Sequence, residues 1–157
     1  MTRWLNEQER QAWLKVAGLM LKLAPALDSQ LQRDSNLTHF DYLCLAMLSE
    51  ADERSLRMSE LAAQVNSSLS RLSHVIKKLE ARGWVERKPC PDSRRVTLVD
   101  LTEQGWAVVE AAAPGHVETV RSLVFDGLSR DEVAQLEKTA GHIVARIEAA
   151  DLRSLNG

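Results

Sequence analysis

Residues 58–105, MSELAAQVNSSLSRLSHVIKKLEARGWVERKPCPDSRRVTLVDLTEQG, hold the reading that decides the fold. Ser59 stands as the cap of a short helix whose inward residues are Leu61, Ala62 and Val65, and the polar run Asn66, Ser67, Ser68 breaks it. From Ser67 the helical pattern resumes, with Leu69, Leu72, Val75, Ile76 and Leu79 on one arc of the wheel. The opposite arc carries Ser67, Ser70, Arg71, His74, Lys77 and Lys78, and no acid. Gly83 stops this helix, and Trp84–Lys88 and Val96–Leu101, rich in β-branched residues, predict two short strands. Between them PCPDSRR is too long for a two-residue hairpin turn and basic at its tip, so it predicts a projecting wing.

A short helix, a polar turn and a second helix with one apolar and one basic, hydroxyl-rich arc make a helix-turn-helix, whose second helix enters the DNA major groove. That groove, about 12 Å wide, admits one helix, and Ser, Arg, His and Lys supply donors and acceptors for base edges and phosphates. The bland alternative is a surface helix of a bundle. Such a helix mixes both signs of charge to gain pairing along its face, and this arc omits acids throughout. The wing adds independent weight: Arg94 and Arg95 sit where a minor groove about 6 Å wide would attract a guanidinium. Asp92, two residues before Arg94, is expected to hold that guanidinium by a charge-assisted hydrogen bond.

Outward from this block the chain reads as helices. Toward the N-terminus, Asn6 and Glu9 have capping-box spacing, and Trp13, Val16, Met20, Leu23, Leu27 and Leu31 follow at steps of three and four. This long helix is expected to kink near Pro25. Thr38 with Asp41 opens a second helix, with Leu37 and Tyr42 as a staple and Phe40, Leu43, Met47 and Leu48 as core, ending near Ser49. Glu50 to Arg57 reads as charged connection. Toward the C-terminus, Thr102 starts a helix through Trp106, Val108 and Val109, which Pro114 and Gly115 kink or interrupt before Val117, Val120, Leu123 and Val124. Ser129 and Glu132 box a last helix bearing Val133, Leu136, Ala140, Ile143, Val144 and Ile147.

Composition sets the outer limits. The 157 residues suit one domain with helical arms, and no second, catalytic domain is expected among them. Apolar residues at 45% and charged ones at 27% are globular values, and only 4 prolines and 7 glycines favour helices. The net charge of -2 hides an asymmetry: residues 54–95 hold ten basic and four acidic side chains, net +6, and the remainder is net -8. An acidic body with one basic block suits local phosphate contact, because a field is screened beyond about 8 to 10 Å. No apolar run reaches the roughly 18 residues of a membrane span, and MTRWLNEQERQ lacks the pattern of a signal peptide, so a cytoplasmic protein is expected.

At this point the chain resembles the MarR family of bacterial regulators, in the order helix, helix, helix-turn-helix, wing and two C-terminal helices. The resemblance rests on residues 58–105, with Leu79, Glu80 and Gly83 closing the recognition helix and Asp92, Arg94, Leu101, Thr102 and Gly105 marking the wing. It implies a mainly α fold with a small β wing, in which helices at 1–36 and 103–157 make a homodimer around a DNA-binding lobe at 37–102. It further implies a repressor on a pseudo-palindromic operator, released by a small aromatic or phenolic ligand or by thiol oxidation. Carried over by position, Ser67, Ser70, Arg71, His74 and Lys77 would contact the major groove or its phosphates, and Arg94 or Arg95 the minor groove. Trp13, His39 and Tyr42 are placed to line the family's ligand pocket, with plain packing as the alternative for each. Oxidant-sensing members keep a reactive cysteine near the start of the first helix, and this chain has none there.

Two cysteines make neither a disulfide framework nor a metal site, and no cofactor or metal is implied. Cys44, in the apolar run LCLAML, reads as an inert core thiol, whereas Cys90 reads as lying in an exposed basic loop beside Lys88, where a lowered pKa would allow a redox role. That role ranks below an incidental thiol. His116 and His142 lack neighbouring ligands and suggest nothing. No Gly-rich phosphate loop, nucleophile elbow or metal-spaced cluster points to an enzyme. The remaining alternative is a helical dimerisation or adaptor protein that offers its basic block to an acidic partner.

Overall fold

The computed structural model describes residues 1–155; Asn156 and Gly157, the end of the expected C-terminal arm, lie outside the described residues. The chain divides into two units, residues 1–119 and the part beginning at Val120. The first unit runs α1 (Glu7–Ser35), α2 (His39–Glu50), a 3-10 turn (Asp52–Arg54), β1 (Ser55–Arg57), α3 (Met58–Gln64), α4 (Leu69–Ala81), β2 (Val85–Cys90), β3 (Ser93–Leu101) and α5 (Glu103–Val120). The three strands form one antiparallel sheet in the order β1-β3-β2.

The helix starts follow from side chains that satisfy the free amides of a first turn. Asn6 accepts the Glu9 amide at 2.9 Å while the Glu9 carboxylate accepts the Asn6 amide at 2.8 Å. Thr38 and Asp41 exchange the same pair of bonds at 2.9 and 3.2 Å. α1 ends on Asn36 in the left-handed region and runs unbroken through Pro25. Leu31, Leu37, Leu45, Leu48, Leu61, Leu72, Ile76, Leu79 and Val99 are fully buried and join α1, α2, α3, α4 and the sheet in one core. Each such side chain contributes about 1.5 to 3 kcal/mol relative to exposure.

Four expectations are corrected. Glu50–Arg57 is more than connection: it contains the 3-10 turn and β1, whose Leu56 pairs with Val99 and whose Ser55 hydroxyl donates to Asp100 at 2.6 Å. Ser59 does not cap α3; the helix starts at Met58 after Arg57, whose amide donates to Glu60 at 2.9 Å, because the chain leaves β1 extended. Leu69 does not join the buried arc of α4, since as the first residue after the Ser68 cap it lies 55% exposed. The hairpin also closes on two residues, Pro91 and Asp92. Its register shifts between Pro89, opposite Thr97, and Cys90, opposite Ser93, so Arg94–Val96 bulge from the ladder.

Two glycines fix how the wing joins its neighbours. Gly83 has φ +75, and with it the Gly83 and Trp84 amides return to the carbonyls of Glu80 and Leu79 at 2.9 and 3.1 Å, ending α4. At Gly105 any side chain would run into the Trp84 carbonyl and the Leu101 side chain. Thr102 ties both ends together, accepting the Gly105 amide at 3.0 Å and donating to the Gly83 carbonyl at 2.7 Å.

The second unit holds a π-helical stretch (Arg121–Phe125) and α6 (Arg130–Leu155). Pro114 and Gly115 leave α5 continuous, and the irregular turn comes only at Arg121. Ser129 and Glu132 form the expected capping box, at 2.8 and 3.3 Å. Among the described residues no helix is long and apolar enough to cross a membrane.

Candidate nucleic-acid interface

α4 is seated by its apolar side. Leu72, Ile76 and Leu79 are fully buried, which turns Ser70, Arg71, His74 and Lys77 outward, all exposed. Ser68 caps the helix by accepting the Arg71 amide at 3.2 Å, and Ser67, half-buried in the turn before it, donates to the Ser68 carbonyl at 3.1 Å. The only acid of α4, Glu80, is half-buried and turned toward β2. There its carboxylate accepts the Arg87 amide at 3.0 Å and the guanidinium at 2.9 and 3.1 Å, which hold it below the usual carboxylate range. The exposed face of α4 therefore bears no negative charge.

Lys78 departs from the basic arc. Its ammonium reaches the buried Asp41 carboxylate at 2.7 Å, so it anchors α4 to α2 and is engaged with the protein. Arg71 is exposed but not loose: its guanidinium carbon lies 4.4 Å from the Phe40 ring centroid. The sequence gives no signal for either partner, because Phe40 and Asp41 meet α4 only through the fold.

In the wing, Arg94 and Arg95 are exposed, and Arg87, Lys88, Pro89, Arg94 and Thr97 line a shallow cationic groove. Lys88 pairs with Asp100, which raises its pKa. Among the described residues no ion pair joins Asp92 to Arg94; the bond in the turn is from the Arg95 amide to the Ser93 hydroxyl, 3.3 Å. Arg94 lies in the bulged stretch 94–96, outside the regular ladder, whereas Asp92 belongs to the two-residue turn.

The thiols occupy different settings from those the sequence suggested for one of them. Cys44 is fully buried, and burial followed by the nearby Asp41 carboxylate pushes its thiol up to about 12. Cys90 is not in an exposed loop. Continued strand pairing places it opposite Ser93, only 7% exposed, which removes the access a redox-responsive thiol needs.

Of the three residues considered for a ligand, His39 borders two surface grooves. One is apolar, about 280 Å³, with Leu19, Met20, Leu23, Ala24 and Leu27, and the other, about 430 Å³, includes Asp28, Phe40 and Arg71. Tyr42 is buried and lines neither, and Trp13, 52% exposed on α1, is not brought to either groove. Instead the Tyr42 ring packs tilted against His116, centroids 4.5 Å apart, and the His116 ring is 5.9 Å from His39. His116 thus belongs to a ring cluster that its sequence neighbours gave no reason to expect. Burial lowers the pKa of both histidines.

Comparison with known proteins places this geometry. The MarR family model matches residues 37–97. The multiple antibiotic resistance protein MarR of Salmonella typhimurium is 30% identical over 104 residues, 66% of this chain and 69% of that protein. The transcriptional repressor MprA of Escherichia coli K12 is 28% identical over 107 residues, 68% of this chain, and the match spans only 60% of the length of MprA. Among solved structures, Sco3205 of Streptomyces coelicolor, a MarR family transcriptional regulator in complex with DNA, superposes with a TM-score of 0.85 at 38% identity, covering 96% of this chain and 91% of that one.

Proposed function

Because this chain belongs to the MarR family of transcriptional regulators, we propose that it is a homodimeric repressor that binds double-stranded DNA through α4 and the wing and whose work is binding, not catalysis. The acid-free exposed face of α4, with Ser70, Arg71, His74 and Lys77, carries the reading. In this reading α4 lies in the major groove, with the Ser67 turn, Ser70 and Lys77 against phosphates and Arg71 and His74 toward base edges. Arg94 and Arg95 reach the adjacent minor groove, and Asp92 lies at the hairpin turn beside them. Two protomers related by a two-fold axis read an inverted repeat in the cytoplasm, where the DNA is. A small aromatic or phenolic effector fits the apolar groove beside His39, where occupancy would act on the first turn of α2.

Selection from a random duplex library, followed by titration at several salt concentrations, tests the reading. The expected result is an enriched inverted repeat bound far more tightly than random duplex, with log K falling linearly against log salt. A chain that binds duplex no better than heparin would be an adaptor using its basic patch on acidic partners, and the DNA reading would be lost.

A further inference from the structure

The first turn of α2 touches the recognition helix at two points. Phe40 lies beneath the Arg71 guanidinium, with 4.4 Å from guanidinium carbon to ring centroid. The next residue, Asp41, is buried and takes the Lys78 ammonium at 2.7 Å. Arg71 and Lys78 are about two helical turns apart, so the grips are spaced along α4. The turn that supplies them is fixed in its own right by the Thr38–Asp41 capping box and by Asp28 of α1, which accepts the His39 amide at 2.8 Å.

Among the described residues three arginines lie over aromatic rings, and their edges distinguish them. The Arg54 guanidinium, 3.9 Å from Trp106, donates to Glu103 at 3.0 Å, and that of Arg82, 4.7 Å from Trp84, donates to the Asn36 carbonyl at 3.3 Å. Among the described residues the Arg71 side chain donates to none. A guanidinium that stacks through its flat face keeps the N–H donors at its edge, and paired edge donors are what read a guanine. An unsupported arginine on an exposed helix face spreads over many rotamers and must be ordered on binding.

Resting on the proposed DNA reading, we propose that Phe40 is the positioning residue for base recognition by Arg71, holding the guanidinium face so that its donor edge is presented ready for the groove. The Asp41–Lys78 pair is the second grip, which fixes the rotation of α4 and withholds Lys78 from the DNA. Phe40 itself touches no base.

The experiment selects binding sites from a random duplex library with the full chain and with Arg71→Ala, Phe40→Leu and the double variant, folding being checked by circular dichroism. Arg71→Ala should erase one symmetric base preference per half-site. Phe40→Leu should weaken that same preference roughly two- to fivefold, the scale of an exposed cation–π contact, and leave random-duplex binding within about twofold of the parent. The double variant should select as Arg71→Ala does alone, and Phe40→Tyr, which keeps the ring face, should select as the parent does. Should Phe40→Leu lose its helical signal, Phe40→Met takes its place. The proposal is overturned if the Phe40 variant leaves the Arg71-dependent position as selective as before, flattens every position alike, or adds its full effect on top of Arg71→Ala. A parent chain that enriches no sequence overturns the DNA reading beneath it, whereas enrichment indifferent to Arg71 overturns this proposal alone.

Discussion

Arg71 and Arg94 carry the same charge, are both exposed, and are proposed for different work. If Arg71 reads a base edge, Arg71→Ala should cost about 1 to 3 kcal/mol on the selected operator and relax one symmetric position per half-site. Arg94→Ala should weaken operator and random duplex together. Each lost phosphate contact removes roughly 0.9 from the slope of log K against log salt, and a dimer loses it in both wings. Competition titrations at several salt concentrations separate the two, and the assignment fails if Arg71→Ala weakens all sequences equally while Arg94→Ala leaves the slope unchanged. The outward-facing residues of α4 were legible because a helical wheel depends only on local spacing. The partners were not: Lys78 reads as one more exposed cation until the fold brings Asp41 to it, and Cys90 reads as exposed until the hairpin register places it inside.

At the scale of elements, the junction of wing and α5 depends on the absence of a side chain at Gly105, where backbone and Leu101 leave no space. Gly105→Ala should destabilise the protein by about 1 to 3 kcal/mol, since the Trp84 carbonyl that a methyl group would meet belongs to the start of the hairpin and cannot yield as a flexible side chain does. Gly141→Ala supplies the control: it lies in α6 with nothing near its added methyl group, and the better helix former should gain about 0.5 to 1 kcal/mol. Urea midpoints of the two variants against the parent decide it, and equal shifts would remove the steric account. Elements specified by neighbouring residues were readable in advance, as the boxes at Asn6, Thr38 and Ser129 show. β1 was not, because three residues give no alternation to read and only pairing with β3 makes them a strand. The register shift in the wing is equally non-local, since it exists only between two strands.

For the whole molecule, the proposed dimer draws on apolar surface that each unit carries by itself. Outside the groove beside His39, α1 leaves Trp13, Leu14 and Leu21 more than half exposed, and α6 separately leaves Val144 and Ile147 so. Large apolar side chains left this exposed suit burial against a partner, and a second copy of the chain is the occupant consistent with an inverted-repeat operator. Two recognition helices on one side of a duplex must then lie about 34 to 36 Å apart, or a multiple of that. Sedimentation at micromolar concentration should therefore show a species of twice the 17.6 kDa chain mass, and only the single-chain mass would overturn the dimer. Ile147→Asp, which sets a charge on the apolar face of α6, should shift the population toward the single chain. Operator affinity should fall with it by a factor of one hundred or so, because losing the link between half-sites removes the effective concentration that one bound half gives the other. Random-duplex affinity per chain should fall much less. If Ile147→Asp remained dimeric and bound the operator normally, α6 would lie outside the dimer interface and the exposed face of α1 would have to supply it.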